Sequence, residues 1–166
     1  MFPSFLVSST IPLQLHKDFV RMRYETETLT PYQRQQVECL TEALWYEARG
    51  ESKEGLKAVA SVILNRSNSK QFKGSICDVV HQRKQFSYRN SYAVGKPVKI
   101  SFKPHQEQTY TYISTLAKDA VIGRFKPILE RSTVMYHADY VKPKWNFKLL
   151  SKEAKIGKHI FYSLKT

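Results

Sequence analysis

Helical spacing of hydrophobic residues dominates the first two thirds of the chain. Thr30 and Gln33 form a capping-box pattern around Pro31, a residue that suits the first position of a helix. The apolar residues that follow at helical spacing are Val37, Leu40, Leu44 and Ala48. Gly50 supplies a stop signal, so the pattern predicts a first helix that begins at Pro31 and ends before Gly50.

Three more helices are predicted, each with its own start or stop signal. Ser52 caps the second helix, which carries an aliphatic face. The motif Ser75-x-x-Asp78 opens a short third helix. A fourth helix begins near Pro104 and is closed by Gly123. These amphipathic elements predict a helical core.

Beyond Pro127 the pattern changes from helical to extended. Residues 132–137 and 159–164 are short runs rich in aromatic and β-branched side chains, which favours strands. Helices followed by a small sheet indicate an α+β fold, mainly helical, with a small antiparallel sheet toward the C-terminus. Residues 1–29 are interpreted as an N-terminal arm and residues 30–166 as a single domain.

Charge is distributed unevenly along the 166 residues. The net charge is +13, from 27 Lys and Arg against 14 Asp and Glu. Residues 1–54 carry −2 and residues 55–166 carry +15. This excess predicts attraction to anionic polymers without choosing among them. The acidic segment contains five closely spaced glutamates, which a general nucleic-acid binder would not need; they are Glu38, Glu42, Glu47, Glu51 and Glu54.

Cysteine and histidine spacing argues against a disulfide framework and against a metal site. Cys39 and Cys77 are the only cysteines, and Cys39 is interpreted as a core thiol. The five histidines lack the HExxH spacing of zinc hydrolases, so no metal is expected. Phosphate-loop, dinucleotide and serine-hydrolase motifs are absent from the sequence, and no cofactor is expected.

Glu47 lies on an unexpected side of the first helix. At about 100° per residue with Val37 at zero, Leu40 falls near 300° and Glu47 near 280°. Glu38 and Glu42 fall near 100° and 140°, where solvent exposure is expected at the same spacing of about 100° per residue. Glu47 therefore borders the apolar stripe in the last helical turn, where both burial and the helix dipole raise a carboxyl pKa. A carboxyl group protonated near neutral pH suits a general acid.

Simpler interpretations of these glutamates stay open at this point. Glu47 could be a rim residue paired with Arg49 or Arg66. Glu51 is a second candidate for chemistry, or else it caps the start of the next helix, where an acidic residue is favoured. Asn65 and Arg66, at the end of the second helix, are expected to brace the loop that contains Glu51.

The residues around Glu47 carry a family resemblance. YEARGE at residues 46–51, followed by EGLKAVASVILNR at 54–66, resembles the signature of the SleB-type cell-wall hydrolases, which include spore-cortex-lytic enzymes and some phage endolysins. Further matches in chain order are SICDVV at 75–80, QFS at 85–87, MYH at 135–137, PKW at 143–145 and IGKHIFY at 156–162. The similarity covers about residues 38–163.

This resemblance implies a peptidoglycan-cleaving enzyme with a lysozyme-like core and Glu47 as its catalytic acid. Members that cleave glycan strands are lytic transglycosylases, which use one glutamate and form a 1,6-anhydro product. A hydrolytic muramidase is the alternative, and it would need a second carboxylate, for which Asp139 is the late candidate. An amidase or peptidase acting on the stem peptide is a further alternative.

Substrate-binding roles are predicted for seven residues besides the acid. Gln85, Ser87 and Glu51 are expected to contact sugar groups. Phe86 either packs beneath a sugar ring or anchors its loop as a buried residue. The aromatic residues predicted to line a glycan groove, or else to belong to the core of the sheet, are Tyr136, His137 and Trp145.

The positive charge of residues 55–166 is interpreted as a surface for anionic cell-envelope polymers. A monomer is expected. Residues 1–13 are apolar but contain Pro3 and Pro12 and no preceding basic residue, so neither a signal peptide nor a transmembrane segment is predicted. Synthesis in a host cytoplasm and action on the wall, as for a phage endolysin, is the favoured interpretation. The rival is a basic nucleic-acid-binding domain, which the glutamate cluster and the lack of specific motifs disfavour.

Overall fold

The structure is a computed structural model that describes residues 28–72, 74–82, 85–92 and 95–165. The predicted N-terminal arm therefore lies almost entirely outside the described residues. Within them, four α-helices precede a three-stranded antiparallel sheet, which confirms the predicted α+β class. None of the helices in this part of the chain is long and apolar enough to cross a membrane.

The four helices begin and end close to the predicted signals. They are α1 (Pro31–Ala48), α2 (Lys53–Ser67), α3 (Ile76–His81) and α4 (Glu107–Val121). The Ser52 side chain caps α2 by accepting a hydrogen bond from the Gly55 amide at 3.1 Å. Ser75 and Asp78 form the predicted capping box of α3. Short 3₁₀ helices occupy Ser87–Ser91, Pro104–Gln106 and Phe147–Leu149.

The second half of α1 is buried around most of its circumference, because α2, α3 and α4 all contact it. Leu40 and Leu44 face this core as predicted. The prediction that Glu42 faces solvent is wrong, since only 3% of this residue is exposed. Its carboxylate pairs with the Arg89 guanidinium and accepts a hydrogen bond from the Val98 amide at 2.8 Å. A helix wheel with one buried face does not describe a helix surrounded by partners.

A disulfide joins Cys39 of α1 to Cys77 of α3. Both residues are buried, as expected for Cys39, but the interpretation of Cys39 as a free core thiol is wrong. The bond connects two helices that are separated by 38 positions in sequence.

The sheet comprises β1 (Thr133–Ala138), β2 (Leu150–Ile156) and β3 (His159–Leu164), in the order β1-β3-β2. The pattern of the sequence predicted β1 and β3 but not β2. The segment LSKEAKI of β2 is largely exposed, so it lacks the hydrophobic run that indicates a buried strand. An irregularity between Thr133 and Met135 shifts the register of β1 against β3.

The two faces of this sheet have different neighbours. Tyr136 of β1 lies opposite Phe161 of β3, and Phe161 is fully buried in the core with the helices. The next residues along each strand, His137 and Tyr162, point to the outer face because side chains alternate along a strand. Their rings stack with centroids 5.4 Å apart.

Residues 139–149 connect β1 to β2 and form what we call the crossover segment. Both strands are antiparallel to β3, so the chain must return along the sheet and pass the central strand to begin β2. Trp145 and Phe147 of this segment contact Tyr162, with ring centroids 6.2 and 5.7 Å away. The crossover segment therefore covers the outer face of the sheet.

Candidate active site

Glu47 lies in the last turn of α1 and faces β1. It is half-buried, and the Tyr136 hydroxyl donates a hydrogen bond to its Oε2 atom at 3.3 Å. Burial raises the pKa of the Glu47 carboxyl, while the Tyr136 hydrogen bond and the charge of Arg66 lower it by less. The net direction is upward, as expected for a carboxyl group at the edge of a core. A shift in this direction is the one that suits a general acid.

Tyr136 is held as a hydrogen-bond donor toward Glu47. Burial, and then the negative charge of Glu47, raise the pKa of the Tyr136 phenol well above its ordinary value. The phenol therefore stays protonated over the working range of an enzyme. Its ring packs against Phe161, with centroids 5.7 Å apart, and against the edge of His159 at 5.2 Å. These contacts fix the direction of the hydroxyl.

Arg66 connects the end of α2 to β1 and to Gln85. Its Nε donates to the Val134 carbonyl at 2.6 Å, and its Nη1 donates to Gln85 Oε1 at 3.0 Å. The guanidinium also lies 5.9 Å from the centre of the Tyr136 ring. Burial lowers the pKa of Arg66, while the charge of Glu47 raises it. A buried cation thus stands behind the tyrosine that contacts Glu47.

Asn65 reaches the same strand from the preceding position of α2. Its Nδ2 donates to the carbonyls of Glu130 and Thr133, at 2.7 and 2.9 Å. The prediction that Asn65 and Arg66 brace the loop containing Glu51 is therefore wrong. Their backbone partners lie at the start of β1 and just before it, because the end of α2 packs against that strand.

Two tyrosines form an aromatic wall beside the acid. Tyr46 stacks on Tyr88 with ring centroids 4.7 Å apart, and its hydroxyl donates to the Lys99 carbonyl at 3.1 Å. The Tyr88 hydroxyl donates to Glu42 Oε1 at 3.0 Å. The sequence pattern did not predict a role for Tyr88. Its hydrogen bond to buried Glu42 and the fold of the loop that contains it bring Tyr88 to Tyr46. Tyr46 could have been found from the sequence, because it directly precedes Glu47.

Glu51 lies against the turn between β2 and β3. The Lys158 amide donates to Glu51 Oε2 at 3.2 Å, and His159 Nδ1 lies 3.8 Å from Oε1. Burial lowers the pKa of His159, although the charge of Glu51 opposes this shift. A substituent on Gly157 would overlap the Glu51 carboxylate. The geometry thus assigns Glu51 to holding the hairpin and gives no support to its predicted contact with substrate; Ser52, not Glu51, caps α2.

The QFS segment contributes one anchor and two polar groups. Phe86 is 1% exposed, so it cannot present its ring to a sugar, and the alternative of a buried loop anchor is confirmed. Gln85 is half-buried and held by Arg66. Ser87 is exposed at the first position of its 3₁₀ helix. Only Gln85 has a described bond that ties it to the residues behind Glu47.

The three predicted groove aromatics do not lie together. Tyr136 faces Glu47, whereas His137 and Trp145 belong to the outer face of the sheet, with their ring centroids 5.5 Å apart. One wall of sugar-binding rings cannot include all three, because the sheet separates them. The expectation that they line one groove is therefore corrected.

Asp139, the late carboxylate considered for hydrolysis, is engaged elsewhere. It lies at the end of β1, and its Oδ2 pairs with Lys155 Nζ at 3.0 Å. The hydrogen bond from Lys155 lowers the pKa of Asp139. No described contact connects Asp139 with Glu47. Among the residues that the structure describes, no three His, Cys, Asp or Glu side chains are grouped as metal ligands.

Solved structures share this arrangement of helices and sheet. The catalytic domain of the germination-specific lytic transglycosylase SleB from Bacillus anthracis matches with a TM-score of 0.59 and 24% identity, over 83% of this chain and 100% of that chain. The catalytic domain of the Bacillus cereus SleB protein matches with a TM-score of 0.54 and 26% identity, over 80% and 91%. The chain therefore has the fold of SleB-type catalytic domains.

Sequence comparison leads to the same group. The family model described as Cell Wall Hydrolase matches residues 50–162, and the chain belongs to this family. The spore cortex-lytic enzyme of Bacillus subtilis (strain 168) is 31% identical over 128 residues, which is 75% of this chain and 36% of that protein. The spore cortex-lytic enzyme of Oceanobacillus iheyensis is 39% identical over 56 residues, which is 34% of this chain and 20% of that protein. The chain thus spans about a third or less of the length of these curated relatives.

Proposed function

We propose that this chain cleaves the glycan strand of peptidoglycan, between N-acetylmuramic acid and N-acetylglucosamine, with Glu47 as the catalytic acid. The observation that carries the proposal is a half-buried carboxyl group with a raised pKa, contacted by the Tyr136 hydroxyl at 3.3 Å. Family membership supports the wall as the place of action.

The reaction proposed is that of a lytic transglycosylase. Protonated Glu47 gives its proton to the glycosidic oxygen, and the bond from that oxygen to the muramic anomeric carbon breaks. The resulting carboxylate takes the proton of the muramic C6 hydroxyl as that oxygen attacks the anomeric carbon. A 1,6-anhydro ring forms, the other chain leaves with a free hydroxyl, and Glu47 ends protonated as it began. One carboxyl group therefore suffices as acid and base.

The position of Asp139 favours this route over hydrolysis with two carboxylates. A glycosidase of the ordinary kind places a second carboxyl group across the scissile bond from the acid. Asp139 is instead paired with Lys155 at the end of the sheet. The side chain that donates to Glu47 is the neutral phenol of Tyr136.

Tyr136 and Arg66 are positioning residues in this proposal. Tyr136 holds one oxygen of Glu47, and Arg66 holds β1 and Gln85 in place behind it. Gln85 and exposed Ser87 are proposed to bind acetamido or hydroxyl groups of the glycan. The stacked pair Tyr46 and Tyr88 supplies an apolar wall for a sugar ring, the part that Phe86 cannot supply.

The excess of positive charge in residues 55–166 is proposed to attract the enzyme to anionic envelope polymers. Long-range attraction raises the rate of encounter and is screened by salt. Clearing of a cell-wall suspension should therefore slow as salt is added. A rate that does not change with salt would assign the charge no part in encounter.

Digestion of purified sacculi, followed by mass spectrometry of the products, tests the function. Wild-type protein should yield 1,6-anhydromuramic ends, and Glu47→Gln should yield none above background. Glu38→Gln is the matched control, since it makes the same change at an exposed position of the same helix and should retain full activity. Reducing muramic ends would establish hydrolysis, and cleavage confined to the stem peptide would overturn the proposal.

A further inference from the structure

The crossover segment carries a concentration of exposed apolar side chains. Eight large hydrophobic residues are exposed in the described part of the chain, and four of them lie within ten consecutive positions. These four are Tyr140, Val141, Phe147 and Leu149, with exposed fractions of 80, 42, 43 and 60%. Because the segment runs from the Lys158 end of β3 to the Lys165 end, these side chains form a strip along the outer face and not one compact patch. An extended apolar surface is the partner that such a strip fits.

The same segment is strongly cationic. Lys142, Lys144 and Lys148 are all exposed, and residues 140–149 contain no acidic side chain. Asp139, the acid at the N-terminal end of the segment, is already paired with Lys155 of β2. Lysines therefore alternate with apolar groups along the segment, and the acid nearest in sequence is already paired.

This composition fits a lipid surface better than a polysaccharide. A glycan gains from flat aromatic rings that are free on one face, but Tyr140 is the one such ring in the segment. Trp145 is half-buried and its ring contacts His137 and Phe147. The aliphatic groups of Val141 and Leu149 gain little from a hydroxyl-rich polymer. Tyrosine, phenylalanine and leucine together with lysine are the residues that bind at a membrane interface.

We propose that the crossover segment docks the protein onto an anionic phospholipid surface. The apolar side chains enter the interface while the lysines contact lipid phosphates. The inner face of the same sheet carries Tyr136, which contacts Glu47, so docking through the outer face does not place lipid against Glu47. The interaction does not depend on the proposed function, because it needs no glycan.

Sedimentation with lipid vesicles tests this proposal. The probes are vesicles of phosphatidylcholine alone and vesicles with a quarter of phosphatidylglycerol, and the full chain is used in its wild-type and Glu47→Gln forms. Both forms should bind the anionic vesicles at least tenfold more tightly than the neutral ones. Replacing Lys142, Lys144 and Lys148 by Ser should weaken binding on the order of a hundredfold, at about fivefold per lysine.

Two further variants separate docking from general charge attraction. The matched control replaces Lys70, Lys96 and Lys126, which are exposed outside the segment, and should change binding less than threefold. The second replaces Tyr140, Val141 and Leu149 by Ser, keeps the charge and should weaken binding at least tenfold. Circular dichroism should show that each variant is folded. Equal losses in both lysine variants, unchanged binding of the apolar variant, or binding to sacculi but not to vesicles would overturn the proposal.

Discussion

Replacement of Gly157 by Ala should reveal how tightly Glu51 holds the hairpin. Gly157 has a φ of 55°, a left-handed conformation that costs an alanine about 1 kcal/mol. The new Cβ would also displace the Glu51 carboxylate from the Lys158 amide, and the loss of this partly exposed hydrogen bond to a charged group costs about 1.5 kcal/mol. The total of about 2.5 kcal/mol corresponds to a fall of roughly 10 °C in Tm for a domain of this size.

Gly123→Ala is the matched control for this substitution. Gly123 also has a positive φ, 79°, but nothing lies within 4 Å of the position that its Cβ would occupy. Only the backbone strain of about 1 kcal/mol applies there, so Tm should fall by about 4 °C. The two variants thus separate strain from displacement of Glu51.

A double-mutant cycle with Glu51→Ala identifies the displaced group. In the Glu51→Ala background the new methyl group has no carboxylate to displace, so Gly157→Ala should cost about 1 kcal/mol, the strain alone. Thermal and urea unfolding of the four proteins would measure the coupling. Equal costs of Gly157→Ala in both backgrounds would refute the contact between Glu51 and the turn.

Three other predictions concern the acid and the disulfide. Tyr136→Phe removes a hydrogen bond that lowers the pKa of Glu47, so the high-pH limb of kcat/KM should move to higher pH; a limb that stays or moves lower contradicts this role. The pKa of Glu47 is raised in the folded state, so the folded protein loses stability as pH rises and this carboxyl group ionises. The Tm of Glu47→Gln should therefore exceed that of wild type at pH ~8 and equal it near pH ~4. A lower Tm of the variant at pH ~8 would refute the upward shift of this pKa. Reduction of Cys39–Cys77 should lower the free energy of unfolding by about 4 kcal/mol in urea titrations, while Cys77→Ser should not respond to the reductant.

The sequence pattern predicted the helices and their caps, because these depend on residues that are close together in sequence. The caps at Ser52 and Ser75 act on the nearest backbone amides, so the sequence contains all the information that they need. Glu47 was predicted as the candidate acid in the same way, because its position in the last turn of α1 and beside the apolar stripe follows from helical geometry. Its environment then raises the pKa in the direction predicted.

Features that arise from packing between distant segments were not accessible from the pattern. Glu42 is buried because the Arg89 guanidinium neutralises its charge and the Val98 amide donates a hydrogen bond to it. These partners lie 47 and 56 positions away in sequence. Glu51 meets the turn at Lys158, 107 positions away. Alternation along β1 could have shown that Tyr136 and His137 face opposite sides, but the sequence does not say which side faces Glu47.

The irregularity in β1 decides which side chain meets the acid. Thr133 lies opposite Ser163 and Met135 opposite Tyr162, so Val134 is an extra residue on this strand. In a regular strand counted from Thr133, Met135 would lie opposite Phe161, and its thioether has no proton to donate. Loss of the extra residue Val134 would keep Tyr136 opposite Phe161, whereas pairing of the intact sequence without the irregularity would replace the hydroxyl next to Glu47 by a thioether. The register of β1 beyond this irregularity is therefore what places the Tyr136 hydroxyl at Glu47.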